Sequence, residues 1–308
     1  MNSIQDAIMG SDVLIKKPEW IRTRLLPSGK KYFELKNSLR TSQLHTVCEE
    51  ARCPNIAECW ESRTATIMIM GDKCSRRCKF CSVQNGRLSP LEPDEPIRVA
   101  EAIKKWNLSY VVITSVCRDD VRDGGAEHIA NTVKAIRSIS GGFIVVEPLI
   151  PDLQGRYYAI EKIVRASPQV ISHNIETVRR LSSEIRDVRA SYDQSLRVLQ
   201  TVKQINPEIY TKSSLMLGLG EHQDEVVESM DDLRDTGVDI ITIGQYLQPG
   251  LEYAPVIEYI SPRTFEHYKT IAVSKGFRSV SAGPFVRSSY RAGQMYQNLI
   301  DYNYGASY

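Results

Sequence analysis

The sequence predicts an α/β fold, a partial (β/α)6 barrel of the TIM type with extensions at its N and C termini. Two observations support this prediction. From residue 65 onward, short runs rich in β-branched residues alternate with longer stretches of helical period, which indicates a parallel sheet covered by helices. The chain has 308 residues, which suits one large α/β domain or two modest ones, and is 42% hydrophobic, which is enough for a buried core.

The predicted elements divide the chain into three parts. Residues 1–64 form an N-terminal extension, residues 65–276 form the barrel, and residues 277–308 form a C-terminal extension. Six strands are too few for a closed eight-stranded barrel, so we expect a partial one. The predicted strands are 66–70, 110–114, 143–147, 170–174, 210–217 and 240–245. The predicted helices are 97–106, 126–139, 192–205, 224–236 and 262–275.

Charge and hydropathy limit the classes of function. The chain has 39 basic and 37 acidic residues and a net charge of +2, so no overall field favours nucleic acid. No apolar run is long enough to cross a membrane, and residues 1–12 lack the order of a signal peptide. We therefore expect a cytoplasmic protein with no nucleic-acid or membrane partner. The basic stretch within residues 1–40 is a solvated arm, a contact for an acidic protein, or both.

Three closely spaced cysteines follow the first predicted strand. Cys74, Cys78 and Cys81 are separated by three and two residues. Three thiolates on one short loop can hold three corners of an iron-sulfur cube and leave the fourth iron open to a small molecule. Zinc is the alternative, but zinc sites usually combine paired cysteines or histidines, and no histidine lies near enough in sequence to complete one. The spacing therefore favours a catalytic cluster.

A second cysteine triplet lies upstream. Cys48, Cys53 and Cys59 are separated by four and five residues, and the two triplets account for six of the seven cysteines. Such clustering in a reducing compartment argues for metal ligation rather than disulfides. Because the two spacings differ, the triplets predict two clusters of different design. Cys117 is left over.

The sequence around these cysteines resembles the lipoyl synthase family of radical S-adenosylmethionine (SAM) enzymes. The Cys-x3-Cys-x2-Cys loop is similar to the signature of radical SAM enzymes in general. The stretches that resemble lipoyl synthases in particular are residues 45–60, Arg118-Asp-Asp120, Gly124-Gly125-Ala126, residues 243–249 and Arg287-Ser-Ser-Tyr290. Two positions depart from the family pattern: Cys117 stands where an Asp is common, and Arg291 stands where a His is frequent.

This resemblance implies a reaction, its cofactors and its partners. It implies two [4Fe-4S] clusters, with SAM bound at the Cys74 cluster and cleaved there to a 5'-deoxyadenosyl radical. It further implies insertion of two sulfur atoms at C6 and C8 of an octanoyl chain on a lysine of a lipoyl-carrier protein domain. The second cluster would donate the sulfur, and a ferredoxin- or flavodoxin-type protein would supply low-potential electrons.

The glycines at 124 and 125 and several strand ends are candidate SAM or substrate contacts. Gly124 and Gly125 open a helix where backbone amides can hold the methionyl end of SAM, and Thr114 ends the preceding strand. Asn174 and Glu176 face the same side at period two. By resemblance they line the SAM ribose or substrate pocket, although capping of the next helix is an alternative.

Three further candidates rest on the resemblance. Arg189 and Lys212 match pocket positions, but either is equally consistent with a structural ion pair. Ser289 is the implied fourth ligand of the second cluster, with Ser288 as its alternative, and a plain turn hydroxyl is the other interpretation. A different sulfur-inserting radical SAM enzyme and a simple electron carrier are the competing functions. A carrier would leave the barrel and the glycine pair without a purpose.

Overall fold

The structure is a computed structural model that describes residues 16–21, 29–61 and 65–305. Residues 1–15 and 22–28 of the basic N-terminal stretch lie outside the described residues. The strands are β1 (His45–Thr46), β2 (Thr66–Ile69), β3 (Lys73–Cys74), β4 (Gln84–Asn85), β5 (Tyr110–Ser115), β6 (Val145–Leu149), β7 (Val170–Ser172), β8 (Tyr210–Leu217), β9 (Ile240–Gln245) and β10 (Ser279–Gly283).

Helices follow most of the strands and alternate with them along the chain. They are α1 (Lys30–Thr41), α2 (Val47–Glu50), α3 (Ile56–Glu61), α4 (Glu95–Trp106), α5 (Ala126–Ser140), α6 (Tyr157–Arg165), α7 (Arg179–Ile185), α8 (Tyr192–Ile205), α9 (Gln223–Asp235), α10 (Pro262–Ser274) and α11 (Ala292–Gly305). Within the described ranges, no helix is both long and apolar enough to span a bilayer.

The main sheet has eight strands in the order β1-β2-β5-β6-β7-β8-β9-β10. β1 pairs with β2 in the antiparallel sense, and all later neighbours pair in parallel. Every residue of β2 and β9 is buried, as expected for parallel strands that are covered on both faces. The predicted fold class, a partial TIM-type barrel, is confirmed.

The sheet is wider than the six predicted strands. Strand β10 comes from the predicted C-terminal extension and pairs with β9 over five residues, and β1 comes from the predicted N-terminal extension. Two predicted strands also differ by two residues: the third is Val145–Leu149 rather than 143–147, and the fourth ends at Ser172 rather than 174. The shift of the third strand leaves Phe143 exposed in the turn that precedes it.

The helices pack by an apolar face, as their sequence period predicts. In α4 the buried residues Val99, Ile103 and Trp106 recur at intervals of three and four residues. This helix ends at Asn107, which adopts a left-handed conformation with φ 53°. The helix α8 begins at Ser191, whose hydroxyl accepts a hydrogen bond from the backbone N–H of Gln194.

The two ends of the barrel differ in their covering. The last helix, α11, closes the end where the strands begin: the Tyr296 ring makes a tilted contact with Tyr110 and an edge contact with Tyr210, the first residues of β5 and β8. Met295 and Leu299 share a buried cluster with Val170 and Ile240 at the same end. The opposite end, where the strands finish, carries the loops with chemically active residues, as in other barrels of this type. We call this end the barrel mouth.

Candidate active site

The loop with Cys74, Cys78 and Cys81 lies at the barrel mouth, directly after β2. It is anchored through its backbone on two sides. The N–H of Ser75 donates to the carbonyl of Cys117, 3.1 Å away, in the loop after β5. The N–H of Lys79 donates to the carbonyl of Ile185, 2.8 Å away, at the end of α7. The loop is therefore fixed over the ends of the strands, as its position in the sequence predicted.

The sulfur atoms of this loop accept hydrogen bonds from backbone amides. Cys74 Sγ lies 3.4 Å from the N–H groups of both Arg76 and Cys117, and Cys78 Sγ lies 3.3 Å from the N–H of Asp187. A hydrogen bond from the Cys117 side chain lowers the pKa of the Cys74 thiol. Burial, with smaller contributions from the thiols of Cys78 and Cys74, raises the pKa of Cys81 to about 12.

An arginine inside the cysteine loop ties it to two other loops at the mouth. The Arg76 side chain is buried and forms two hydrogen bonds to each of two carboxylates, at 2.8 and 2.9 Å to Asp119 and 2.6 and 2.8 Å to Asp152. A fork of this kind fixes orientation as well as charge. Asp119 follows β5 and Asp152 follows β6, so three loops are held together by one guanidinium group.

This arginine clamp was not among the predicted site residues. The sequence pattern does not select Arg76, and Arg118-Asp-Asp120 stands out only as a stretch of family resemblance. The clamp could not be predicted because Asp152 stands alone in the sequence, and only the fold brings it to Arg76. A second residue that was missed is Asp187, whose carboxylate accepts the N–H of Arg77 at 2.8 Å. Hydrogen bonds from the Arg189 side chain hold the pKa of Asp187 well below its usual range.

The second triplet is also assembled by the structure. Cys48 lies in α2, Cys53 in the turn that follows, and Cys59 in α3. Burial raises the pKa of Cys59 to about 12, and the neighbouring Cys53 and Cys48 add to this shift. Burial likewise raises the pKa of Cys48 to about 11. The N–H of Cys53 donates to the carbonyl of Cys48 at 3.0 Å and the N–H of Cys59 donates to the carbonyl of Asn55 at 2.9 Å, so backbone hydrogen bonds hold the three cysteines on one compact segment.

The C-terminal segment packs against this triplet. The Asn55 amide donates to the carbonyl of Phe285 at 2.7 Å, and the Tyr290 hydroxyl donates to Glu58 at 3.0 Å. Ser289 accepts a hydrogen bond from the Thr66 hydroxyl at 2.8 Å. The backbone N–H of the same Thr66 donates to the Cys48 thiol. Ser289 and Cys48 are thus both bonded to one residue, which brings the predicted serine beside the triplet.

The chemistry of both donor sets suits an iron-sulfur cube. Within the described ranges, no three His, Cys, Asp or Glu side chains converge closely enough to hold one metal ion. In a four-iron cube each thiolate binds a separate corner, so its ligands stand further apart than those of one ion. Burial raises the pKa of all three thiols of the second triplet and of Cys78 and Cys81 in the first, so these thiolates are costly without a compensating positive charge. Bound iron would supply that charge, so the residues present fit the clusters that the sequence predicted.

The glycine pair at the start of α5 has a packing role. Gly124 and Gly125 have φ values of 67° and 86°, which favour glycine. A Cβ atom on Gly125 would come within 2.3 Å of the Met70 sulfur. The Asp123 carboxylate accepts the N–H groups of Gly125 and Glu127, each at 3.1 Å, so these helix N-terminal amides are already bonded. The predicted contact of the pair with SAM stays a prediction.

The polar residues after β7 lie beside the cysteine loop. Asn174 donates to Glu176 at 3.2 Å, so the two do face the same side. Burial raises the pKa of Glu176, and this carboxylate in turn raises the pKa of Cys78 and Cys81. The Asn174 side-chain oxygen is buried and makes no hydrogen bond to a described residue. These features favour the pocket interpretation over a helix cap, because α7 begins only at Arg179.

Two other candidates have defined partners. Arg189 reaches across the mouth and donates to the carbonyl of Ser75 at 2.7 Å, while its guanidinium also pairs with Asp187 at 2.7 Å and Asp119 at 3.3 Å. Thr114 is the penultimate residue of β5, and its hydroxyl donates to the carbonyl of Leu149 at 3.1 Å. Both residues therefore lie at the mouth, and neither side chain is free of protein partners.

Lys212 lies within the barrel, close to the end that α11 covers. It is the third residue of β8, and its ammonium group is 2.9 Å from Glu147 Oε1, with both side chains 1% exposed. Ser172 and Tyr110 also donate to the Glu147 carboxylate. These contacts support the ion-pair alternative over a direct contact with SAM. A strand pattern alone cannot distinguish the two, because both place a polar residue inside the barrel.

Replacing Lys212 by methionine should destabilise the fold strongly. The change leaves the Glu147 carboxylate buried without its cation, which typically costs about 3–5 kcal/mol. Urea unfolding measures the loss. The control is Lys162→Met, which removes a half-exposed pair with Asp123 and Glu127 and should cost roughly 1 kcal/mol or less. Equal small losses in both variants would contradict the assignment of Lys212 to a structural ion pair.

Comparison with known proteins identifies the class to which this fold and site belong. The family model of the Radical SAM superfamily matches residues 68–233, more than half of the chain. The crystal structure of methylornithine synthase (PylB) has a similar fold, with a TM-score of 0.53 and 13% identity over 83% of this chain and 72% of that one. The chain is thus a radical SAM protein.

Closer relatives identify the family. The model of the N-terminal domain of lipoyl synthase matches residues 9–53. Lipoyl synthase of Thermus thermophilus is 52% identical over 91% of this chain and 86% of that protein. The apicoplast lipoyl synthase of Plasmodium knowlesi is 50% identical over 97% of this chain and 67% of that protein. The chain belongs to the lipoyl synthase family.

Proposed function

We propose that the chain inserts two sulfur atoms at C6 and C8 of an octanoyl group held on a lysine of a lipoyl-carrier protein domain. One observation carries the proposal beyond family membership: the two cysteine triplets lie on loops that touch each other at the barrel mouth. The Ser82 hydroxyl, next to Cys81, donates to the carbonyl of Glu50 at 2.7 Å, between Cys48 and Cys53. An acyl chain that enters the mouth therefore meets both triplets.

In this proposal Cys74, Cys78 and Cys81 hold the cluster that binds SAM. When bound, that cluster supplies the electron that cleaves the sulfonium bond, chemistry that side chains cannot perform. The protein's part is positioning. The Arg76 clamp holds the loop in register with the strand ends, and the amides of Cys117 and Asp187 donate to two of its sulfur atoms. Such hydrogen bonds are among the features that tune cluster potentials.

The other predicted SAM contacts are proposed to surround this loop. Glu176 and the unpaired oxygen of Asn174 are the most suitable groups for ribose hydroxyls, because both are acceptors beside the cysteines. Arg189 bonds to the Ser75 carbonyl of the same loop, Thr114 lies near the end of β5, and Gly125 allows Met70 to approach. These contacts remain proposals.

The second [4Fe-4S] cluster is proposed to bind to Cys48, Cys53, Cys59 and Ser289. The hydrogen bond from Thr66 favours Ser289 over Ser288 as the fourth ligand. A hydroxyl is a weaker iron ligand than a thiolate, which suits a cluster that must release iron as its sulfide is consumed. In this division residues 1–64 and 277–308 complete the sulfur-donor site, and residues 65–276 perform the SAM chemistry.

The proposed partners are an octanoylated lipoyl-carrier domain and a ferredoxin- or flavodoxin-type electron donor. The proposed location is the cytoplasm, although relatives such as the Plasmodium knowlesi protein are named for the apicoplast. An electron carrier is the competing function. It is disfavoured because a carrier has no use for a polar pocket built by Asn174 and Glu176 beside the cluster loop.

The test is a single incubation. The anaerobically reconstituted enzyme, loaded with about eight irons for two four-iron clusters, is mixed with SAM, dithionite and an octanoyl-lysine peptide. We expect the peptide mass to rise by two sulfur atoms less the hydrogens removed, with 5'-deoxyadenosine formed in parallel. Omission of SAM is the control. Clusters without SAM cleavage would favour the electron carrier, and cleavage without sulfur gain would overturn the proposed reaction.

A further inference from the structure

We propose that an exposed rim beside the two cysteine loops docks an acidic protein domain, the domain that presents the octanoyl-lysine. This inference rests on the proposed function and deepens it. The mouth rim, as we name it, consists of Arg52, Arg77, Lys79, Val188 and Leu251. All five side chains are exposed. Together they flank the route by which an acyl-lysine arm would reach both clusters.

The mouth rim is continuous, because its members lie on loops that are bonded to one another. The Arg52 guanidinium lies 3.4 Å from the carbonyl of Pro249, two residues before Leu251. The N–H of Ala254, in the same loop, donates to the carbonyl of Lys79 at 2.8 Å. On the other side of the cysteine loop, the N–H of Arg77 donates to Asp187, the neighbour of Val188.

Two of the most exposed apolar side chains of the described residues lie on this rim. Val188 is 94% exposed and Leu251 is 80% exposed. Phe143 is comparably exposed at 89% but precedes β6, so it lies at the opposite end of the barrel. Scattered exposed apolar residues need no explanation, but two that flank the entrance to a reactive site are suitable anchors for a protein partner.

The charge of the rim selects an acidic partner. Within the described ranges, Arg52, Arg77 and Lys79 form no ion pair with a carboxylate. By contrast, Arg179 and Arg180 on the flank of the barrel each pair with a carboxylate. Arg189 beside the rim is neutralised by Asp187.

Two acidic residues lie beside the rim: Glu252 is next to Leu251, and the partly exposed Glu50 is two residues before Arg52. Three cations against these two carboxylates leave the rim with a net positive charge, although the whole chain carries only +2. Complementary charge of this kind steers a partner and fixes its register. A nucleic acid is also acidic, but the apolar Val188 and Leu251 at the same surface favour a protein domain.

The experiment compares two substrates of the reconstituted enzyme. One is an octanoylated carrier domain and the other is a short octanoyl-lysine peptide that cannot span the rim. The rim variants are Leu251→Asp and Arg52→Glu. Their controls are Phe143→Asp at the far end of the barrel and Arg197→Glu on α8, which is also exposed. Dithionite is the reductant, so docking of an electron-donor protein cannot affect the result.

We expect the KM for the carrier domain to rise roughly tenfold in each rim variant, the effect of one modest interface anchor. The KM for the peptide, the iron content and SAM cleavage should stay at wild-type values, and both controls should match wild type on both substrates. Higher salt should raise the wild-type KM for the domain but not that for the peptide.

Three outcomes would overturn the docking surface. Rim variants that match the controls would remove it, and equal losses on domain and peptide would assign the rim to the reaction site itself. Displacement of the carrier from the wild-type enzyme by single-stranded RNA, but not by excess carrier domain lacking the octanoyl group, would assign the rim to nucleic acid. Absence of sulfur insertion on both substrates in the wild-type enzyme is a different result, because it contradicts the proposed function instead.

Discussion

Replacing Cys74 by alanine should reduce the formation of 5'-deoxyadenosine to the background rate. A cluster that loses one of three thiolates cannot present one defined open iron to SAM. The loss should be complete rather than partial, because the Cys74 sulfur also accepts hydrogen bonds from the backbone N–H groups of Arg76 and Cys117. The measurement is SAM cleavage by the anaerobically reconstituted variant with dithionite and without acyl substrate.

Cys117 makes this test sharper. Its side chain hydrogen-bonds to Cys74, so it is the nearest thiol that could replace the lost ligand. Cys117→Ala is therefore the control and should retain clearly measurable cleavage, since it removes a neighbouring thiol but no predicted ligand. If Cys74→Ala stays active, the double variant with both Cys74→Ala and Cys117→Ala shows whether Cys117 replaced the lost ligand. Persistent activity in the double variant would refute the role assigned to the Cys74 loop.

Local spacing predicted the cluster loop because all three of its predicted ligands lie within eight residues. The predicted strand before it, the loop itself and its position at the barrel mouth all agree with the structure. Features of this kind depend only on neighbouring residues and on the common edge formed by parallel strands. Asn174 and Glu176 do contact each other, but not through the strand alternation that the sequence predicted, because β7 ends at Ser172 and Glu176 has a φ of 68°.

Contacts between distant residues were beyond the reach of pattern reasoning. Ser289 meets Thr66 across 223 residues of sequence, and only the family resemblance selected that serine. Asp152 meets Arg76 across 76 residues, and no resemblance or spacing selected it. Strand β10 was missed because the sequence Ser-Val-Ser-Ala-Gly has small residues and little β-branched character, so its strand state depends on pairing with β9.

Polar residues inside the barrel gave an ambiguous signal for a different reason. Lys212 satisfies the pattern of a pocket residue, yet its ammonium is bonded to Glu147 near the end closed by α11. The sequence shows that a strand carries a lysine, but not at which height in the barrel a carboxylate from another strand will meet it. A buried lysine requires a carboxylate partner. Only the structure identifies that partner as Glu147, two strands away.

Changing Cys53 to alanine should separate the two functions of the enzyme. Sulfur insertion into the octanoyl peptide should be lost, while SAM cleavage survives. The reason is structural: Cys53 belongs to the α2–α3 segment, whereas the proposed SAM contacts surround the Cys74 loop at the strand ends. The two loops touch through Ser82 and Glu50. The 5'-deoxyadenosyl radical would therefore still reach the substrate, but the substrate radical would find no sulfur donor. Peptide mass and 5'-deoxyadenosine are measured in the same sample.

Ser289→Ala provides the graded comparison for Cys53→Ala. Three thiolates remain, so the iron content should stay near the wild-type value, but sulfur transfer should slow if the hydroxyl controls the iron that is released. Ser288→Ala is the matched control, because it changes the adjacent serine, whereas Thr66 bonds to Ser289. A Cys53→Ala protein that still forms the sulfur-bearing product, with iron and sulfide excluded from the assay, would show that the triplet relays electrons instead. Equal effects of the two serine changes would remove Ser289 from the ligand set.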